Sequence, residues 1–430
     1  MNQREELVKM LLVEEKKKFI SPSQKRFWFI NLLNNKKKNL NFNTCSIKLN
    51  GILDFNALNQ SINIIFKRQD MLRASVKTVK GRPEQIIKPY KEFIINTVNL
   101  SKEDNLNSII DDFRNNLKFE DSPLANILLI RKSENLHILL ISLHHYISDG
   151  WSFQVFFNEL NHFYEQYKLN KDIKQLPHLK YQYYEYAFNE QQKIKNELFA
   201  QKLSFWNNYL KNQQNLKLPL KHSNEKTLGS SVETYFFNQK ERDIILNFCQ
   251  KNKLTLFQFM VSIIQYAFYL KSPHLHELSI GTPVSRREGG LSNDVIGCFI
   301  NTIIIRTLFL DQKISLEEFI IKNKSNITNA LKNQSVPYEQ IIKASREDSL
   351  NSKGYKILVF EDNTPPHKFC LGNLECEYIK INTNDLDEEM AIYYHFNKNE
   401  LSLNINYKNY YEEEEVQNLM GNIIKLVRQL

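Results

Sequence analysis

Hydrophobic and polar positions follow two different periods along the chain, which predicts a protein built from both strands and helices. Residues 136–143 are apolar at nearly every position, so this strand should be covered on both faces. After a short loop, residues 152–167 place aromatic and aliphatic side chains at helical spacing. A buried strand followed by a tight loop and a helix favours an α/β fold, in which ligands bind at the carboxyl ends of strands.

The same mixture of periods recurs in the second half of the chain. Residues 232–237 read as a strand, and Thr255 and Gln258 match a capping box that opens an apolar helix ending near Leu270. Between the halves, residues 172–220 are rich in Tyr and Gln and read as a connecting helix plus linker. A last helix covers residues 412–430.

These patterns predict two α/β lobes with a cleft between them. We place the N-terminal lobe at residues 1–178, the connecting helix and linker at 179–222, and the C-terminal lobe at 223–430. The chain has 430 residues, of which 42% are hydrophobic and 12% aromatic, so it can bury a large core and is not disordered.

Charge and cysteine content narrow the classes of function further. The net charge is +9, but the basic runs at residues 16–18 and 36–38 are short and no groove-reading motif accompanies them, so we expect no nucleic acid partner. Apolar runs such as residues 138–143 are far too short for a membrane span. Five cysteines without a CxxC pair or metal-like spacing favour a reduced, cytoplasmic setting and predict no metal site.

The chemistry-bearing segment is residues 144–152, HHYISDGWS, directly after the buried strand. Side chains alternate between faces in a strand, so His144 and His145 should point in opposite directions unless the strand ends between them. One of them can face a cleft while the other is buried. Asp149 can either fold back to orient an imidazole or hold the loop through an arginine, and Gly150 permits a tight turn into the helix. Without further support, both histidines could be structural and Asp149 a helix cap.

The segment and its flanks together resemble the condensation domain of nonribosomal peptide synthetases, a relative of chloramphenicol acetyltransferase. The resemblance runs from about Ile20 to the C-terminus. Two departures stand out, Gln69-Asp70 for the family's His-Glu and Arg286 for its usual Gly. The matching segments are residues 21–29 (SPSQKRFWF), 67–73 (KRQDMLR), 119–124 (FEDSPL), 181–187 (YQYYEYA), 281–287 (GTPVSRR), 296–302 (IGCFINT) and 333–339 (NQSVPYE), whereas the family's late motif is poorly kept around residues 346–350.

The resemblance implies a fold and a reaction. It implies two chloramphenicol acetyltransferase-like lobes that form a V-shaped pseudo-dimer with a tunnel between them. Phosphopantetheine arms of donor and acceptor peptidyl carrier proteins would enter from opposite sides, and the acceptor amine would attack the donor thioester to form an amide. No cofactor would be bound intrinsically, because the substrates arrive on the carriers. We expect a cytoplasmic, monomeric enzyme, and the initial Met and the terminal helix favour a free-standing chain.

The resemblance also assigns roles within the motif. His145 would be the catalytic histidine and face the tunnel, whereas His144, in the same catalytic segment, would be structural. Asp149 would pair with Arg287 from the other lobe; Arg68 and Arg73 are competing partners.

Residues near the motif complete the expected site. Gly150 would border the donor side, where a side chain would obstruct the thioester. Trp151 is expected to pack rather than contact substrate, although together with Ser152, Ser285 and Asn301 it is a candidate for the tunnel lining; Asn301 could equally cap a strand.

Three alternatives stay open. An ester-forming acyltransferase, or one that takes acyl-CoA, would use the same residues. A noncatalytic platform that only binds carriers would have no reason to keep His145 and Asp149.

The GGxS-like run at residues 289–292 mimics a phosphopantetheine attachment site, and His274 and His276 could bind a metal only with a third ligand, so neither is expected to function.

Overall fold

The computed structural model describes residues 11–33, 41–101, 105–120, 123–169, 179–194, 196–213, 218–221, 229–272, 274–287, 290–310, 314–345, 355–362, 369–379, 388–397 and 400–430. The chain divides into two compact units. The first consists of Met1–Lys195, Arg286–Ile300 and Asn363–Ile381. The second consists of Asn196–Ser285, Asn301–Asp362 and Asn382–Leu430.

These units differ from the contiguous segments expected at 1–178, 179–222 and 223–430. Two segments from the C-terminal half, Arg286–Ile300 and Asn363–Ile381, belong to the first unit. The expected connecting helix is two helices, and the second of them belongs to the second unit. The difference has a physical reason, because strand pairing between residues more than 300 positions apart leaves no trace in local periodicity.

The first unit is built on a five-stranded sheet with the order β11-β1-β6-β5-β4 and a separate hairpin of β2 and β3. The strands are β1 (Phe42–Asn50), β2 (Ala74–Val79), β3 (Arg82–Ile87), β4 (Asn96–Asn99), β5 (Ala125–Ser133), β6 (Leu136–His144) and β11 (Glu375–Ile379). The helices are α1 (residues 11–17), α2 (Pro22–Leu33), α3 (Phe55–Arg68), a 3₁₀ turn (Asp70–Arg73), α4 (Leu106–Asn115), α5 (Gly150–Lys168) and α6 (Tyr183–Lys193).

Strand β6 lies in the middle of this sheet and is covered on both faces, as its apolar sequence predicted. Leu139 and Ile141 belong to the main core of the unit, whereas Ile138 and Leu140 belong to a smaller cluster on the opposite face. All residues from 137 to 144 are buried. The strand therefore delivers His144 and His145 at a fixed point, where it ends.

The second unit contains a six-stranded mixed sheet with the order β7-β13-β12-β10-β8-β9. Its strands are β7 (Ser230–Phe236), β8 (Glu277–Ser285), β9 (Ile300–Leu308), β10 (Ile357–Glu361), β12 (Met390–Phe396) and β13 (Leu401–Lys408). Its helices are α7 (Glu197–Tyr209), α8 (Gln239–Lys251), α9 (Leu256–Lys271), α10 (Leu316–Lys332), α11 (Tyr338–Ser345) and α12 (Glu413–Val427). The predicted capping box of Thr255 and Gln258 is present at the start of α9.

Within the described residues, no single helix has the length and apolar character needed to cross a membrane. Helices α8 and α9 have this length and apolar character only when taken together, and the chain bends by 109° between them. The basic run at 36–38, part of the GGxS-like run and the poorly kept motif at 346–350 lie outside the described residues.

Candidate active site

His144 and His145 have different surroundings because β6 ends between them. His144 is the last residue of the strand and is fully buried between the rings of Phe42 and Phe119, with ring centroids 4.7 and 4.5 Å away. Its Nδ1 accepts a hydrogen bond from Tyr146 N at 2.9 Å. His144 is therefore a packed core residue, in agreement with the structural role expected for it.

His145 begins the turn after the strand and is only partly buried. Its backbone N–H donates to the carbonyl of Asn41 at 2.9 Å, which extends the β1–β6 ladder by one more bond. Its ring is stacked on Phe27, with centroids 5.0 Å apart and planes inclined by 15°. Phe27 lies in helix α2, so this contact covers one face of the imidazole.

Two polar contacts fix the protonation of the His145 ring. Nδ1 lies 3.3 Å from the carbonyl oxygen of Ser148, which can only accept, so Nδ1 carries the proton. Nε2 of the neutral ring is then an acceptor, and it lies 3.1 Å from the Nδ2 donor of Asn43. The ring is thus held with its basic nitrogen on Nε2.

Burial lowers the pKa of His145 below its ordinary value of 6.5. The Ser148 carbonyl and the charge of Asp149 oppose this shift, whereas the charge of Arg26 adds to it. The net effect keeps the imidazole neutral at neutral pH, which is the form that can accept a proton.

Asp149 caps helix α5, and its carboxylate accepts four hydrogen bonds. Its Oδ1 accepts from Ser152 N at 2.9 Å, from Ser152 Oγ at 2.7 Å and from Arg287 Nη2 at 2.8 Å. Its Oδ2 accepts from Phe299 N at 3.2 Å. The carboxylate therefore holds the loop and the arginine rather than the imidazole, which is oriented by the Ser148 carbonyl.

Arg287 is buried beside Asp149 and ties down its own segment of chain. Its Nη1 donates to the carbonyl of Val295 at 2.8 Å and to that of Ser292, and its guanidinium lies 4.2 Å from the ring centroid of Phe299. This ion pair was expected, but not its location: Arg287 belongs to the same unit as Asp149, not to the other lobe. The two competing arginines pair elsewhere, Arg68 with Glu159 and Arg73 with Asp70.

Ser152 joins the same cluster and is fully buried. Its Oγ accepts from Gly297 N at 3.2 Å and lies 3.1 Å from the Gly297 carbonyl. A Cβ on Gly297 would overlap the ring of Tyr183, so a larger residue there would force the ring to shift. The tyrosine hydroxyl in turn donates to the carbonyl of Cys298 at 2.8 Å.

The thiol of Cys298, in the segment opposite Ser152, is not a candidate nucleophile. Cys298 is fully buried, and burial raises the pKa of its thiol far above the ordinary value, so it stays protonated. In the part of the chain that the structure describes, no three His, Cys, Asp or Glu side chains are grouped to hold a metal. The arrangement consists of one neutral imidazole on a rigid loop, which suits proton acceptance or amine positioning at Nε2.

Comparison with known proteins agrees with this geometry. The family model described as Condensation domain matches residues 14–430. The chain belongs to the condensation domain family. The predicted resemblance to condensation domains of nonribosomal peptide synthetases is therefore confirmed.

Two relatives are peptide synthases of Brevibacillus species. One component of the linear gramicidin synthase of Brevibacillus parabrevis is 26% identical over 359 residues, which is 80% of this chain but only 7% of that protein. Gramicidin S synthase 2 of Brevibacillus brevis is 23% identical over 420 residues, which is 95% of this chain and 9% of that protein. The condensation domain therefore corresponds to a small part of each relative.

Two solved structures share the fold. The X-domain from teicoplanin biosynthesis has a TM-score of 0.83 at 17% identity, and the match covers 95% of this chain and 94% of that chain. The first condensation domain of the calcium-dependent antibiotic synthetase, in complex with a substrate analogue, has a TM-score of 0.78 at 13% identity, with 96% of both chains covered. The α/β fold of condensation domains is therefore confirmed, whereas the tunnel stays a prediction.

Four residues of this condensation domain were candidates for lining a tunnel, and two of them, Ser152 and Asn301, are buried. Ser152 is buried and fully hydrogen bonded, so it cannot line an open passage as placed. Asn301 is buried in the second unit, where its side chain holds the backbone of Gln334, Val336 and Tyr338. It ties a loop instead of lining a cleft.

Trp151 was expected to be packed, and this expectation is wrong, because the residue is 51% exposed. Its indole N–H donates to the carbonyl of Asn293 at 2.9 Å. Ser285 is exposed at the end of β8, and Gly150 is the first residue of α5.

Sequence reasoning missed three groups around the motif: Asn43, the ring of Phe27 and the side chain of Gln69. Gln69, one of the departures from the family pattern, donates to Glu159 Oε1 and to the Asp294 carbonyl, both at 2.9 Å, and accepts from Ile296 N at 2.9 Å. Phe27 could have been noticed, since it lies in the quoted segment 21–29. Nothing in the sequence around Asn43 predicts its contact with His145.

Proposed function

We propose that this condensation domain transfers the acyl or peptidyl group of a carrier-bound thioester to the amine of a carrier-bound aminoacyl acceptor. The acceptor nitrogen attacks the thioester carbonyl, a C–N bond forms, the C–S bond breaks, and the donor carrier keeps the free thiol. The proton lost by the amine passes to the leaving thiolate by way of His145. The carriers act in trans, each delivering its substrate on a phosphopantetheine arm.

A single observation carries this proposal: the imidazole of His145 is partly exposed and held with Nδ1 on the Ser148 carbonyl, which leaves Nε2 as its basic nitrogen. A neutral Nε2 can accept a hydrogen bond from the attacking amine and stabilise the charge that develops on it. Asp149 and Arg287 have no direct part in the chemistry, because their polar atoms hold the loop that presents the ring.

Positioning is expected to supply more of the rate than proton transfer. Holding two reactants together is worth up to about 7–11 kcal/mol, whereas general-base help is typically worth about 10²–10⁴-fold. An α-amino group has a pKa of about 7.7–8.0, so part of it is already neutral at neutral pH. His145 therefore orients the amine first and receives its proton second.

Intact-protein mass spectrometry tests the proposal with donor and acceptor carriers supplied as separate, loaded proteins. We expect transfer of the acyl mass to the acceptor carrier, lowered about 10²–10⁴-fold in His145→Ala. His274→Ala is the matched control, because this histidine is exposed in the second unit. Product formation by His145→Ala at the wild-type rate would contradict the proposal.

Further arms of the same experiment separate the alternatives. Replacing the acceptor amine with a hydroxyl tests the ester-forming enzyme, and replacing the donor carrier with acyl-CoA tests the free thioester. Binding of loaded carriers without any transfer, across a panel of donor and acceptor pairs, would favour the noncatalytic platform.

A further inference from the structure

The amide of Asn43 contacts the nitrogen on which the proposed reaction depends. Asn43 lies in β1, beside β6, and its Nδ2 is 3.1 Å from Nε2 of His145. The backbone bond from His145 N to the Asn41 carbonyl keeps the two side chains side by side. Both side chains are partly buried, so they are screened from bulk water without being sealed from it.

With Nδ2 of Asn43 directed at the ring, as the structure places it, the contact has one consistent hydrogen-bonding pattern. The Ser148 carbonyl requires the proton on Nδ1, so Nε2 of the neutral ring must accept. The Asn43 side chain meets that demand with its NH₂ group. In an imidazolium both ring nitrogens are donors, and Nε2–H would then face the NH₂ donors of Asn43.

We propose that Asn43 is a positioning residue that holds His145 Nε2 in its unprotonated state and gives up that nitrogen to the acceptor amine. This inference rests on the proposed function. The bond from Asn43 occupies the lone pair in the absence of substrate and disfavours the imidazolium. Together with the stacked ring of Phe27, it also fixes the rotation of the imidazole, because one contact sets the plane and the other sets the direction of Nε2.

The charged groups around the ring do not duplicate this role. Asp149 favours the imidazolium and Arg26 disfavours it, so the two charges act in opposite directions. The Ser148 carbonyl fixes the proton on Nδ1 in both the neutral and the charged ring and therefore leaves Nε2 undetermined. Of the contacts described, only the one with Asn43 is favourable when Nε2 is unprotonated and unfavourable when Nε2 carries a proton.

The test is an NMR titration of the full chain labelled with ¹⁵N-histidine. The chain has ten histidines, and the His145 signals are those absent from His145→Gln. In the wild type we expect the Nδ1–H tautomer. Asn43→Ala should raise the titration midpoint of His145, because the neutral ring loses a donor, and Asn43→Asp should raise it further, because a carboxylate favours Nε2–H.

Asn99→Asp is the matched control, since it adds the same charge on the exposed edge strand β4 of the same sheet. It should leave the midpoint unchanged. In the carrier assay, the acid limb of the pH–rate profile should move upward in Asn43→Ala, and Asn43→Asp should lose about 10²-fold or more at pH 7. Circular dichroism of each variant verifies that the fold is intact.

The two failures are distinguishable. An unchanged His145 midpoint and tautomer in folded Asn43→Ala would overturn the role of Asn43 even if the wild type forms amide. Absence of transfer by the wild type with every loaded carrier pair would overturn the proposed function, whatever the titration shows.

Discussion

The two ends of the loop between β6 and α5 differ sharply although they lie close together in the sequence. At one end, the Asp149 carboxylate is buried and accepts hydrogen bonds from three residues, including a buried arginine. At the other end, the His145 ring is partly exposed and makes two polar contacts and one stacking contact.

One end of the motif therefore holds the structure of the loop, whereas the other end carries the proposed chemistry. The Asp149 carboxylate is engaged in the cap of α5 and in the ion pair with Arg287. The neutral imidazole of His145 has one replaceable contact at Nε2, so it can accept a proton there. The aspartate end should therefore control stability, and the histidine end should control reactivity, so substitutions at the two ends should have effects of different kinds.

The largest effect on stability is expected from Asp149→Ala. The substitution leaves the buried guanidinium of Arg287 without its counter-ion, which costs about 3–5 kcal/mol in the free energy of unfolding. Urea denaturation measures it. Asp54→Ala is the matched control, because Asp54 also caps a helix, α3, through its carboxylate, and should cost only about 0.5–2 kcal/mol. Equal losses in the two variants would remove the distinction between this cap and an ordinary one.

The next effect is expected from Gly297→Ala, which tests how tightly the segment opposite Ser152 is packed. The added methyl group meets the ring of Tyr183, and overpacking of this kind costs about 1–3 kcal/mol. Gly421→Ala serves as the control, since a Cβ there meets no neighbour within 4 Å and the residue lies in helix α12. The control should be stabilised by about 0.4–1 kcal/mol. An unchanged free energy of unfolding in Gly297→Ala would mean that the ring of Tyr183 moves aside at no cost.

A smaller change in stability is expected at the histidine end. His145→Gln removes a stacked, partly exposed ring and should alter the free energy of unfolding by about 1 kcal/mol or less. The same variant should fail in the carrier assay, so stability and activity would separate. A loss as large as that of Asp149→Ala would show that His145 is structural like its neighbour His144.

The smallest effect is a pH dependence of stability. Because burial lowers the pKa of His145 in the folded chain, the folded ring is less protonated near and below pH 6.5 than the unfolded one, so unfolding takes up protons. Wild-type stability should therefore fall relative to His145→Gln as the pH drops from about 7.5 to 5.5. Denaturation curves at three pH values measure the difference. A difference that stays constant would mean that burial does not shift the pKa of this ring.

The sequence alone determined the local elements and the segment that carries the site. Apolar runs predicted β6, the Thr255–Gln258 box predicted the start of α9, and the motif with its flanking segments predicted the family and the Asp149–Arg287 pair. Capping and periodicity depend on residues within about one helical turn, so they can be recognised in the sequence. The family was recognised because its motifs resemble a known pattern.

Only the tertiary structure decided which distant residues meet around that segment. It placed Arg287 in the same unit as Asp149, buried Ser152 and Asn301, exposed Trp151, and set Asn43 against His145 across 102 residues of sequence. Strand pairing and burial depend on the whole chain, and neither leaves a period in the sequence. The motif therefore predicted which imidazole is the proposed catalytic one, whereas the residues around it in the fold set its protonation and orientation.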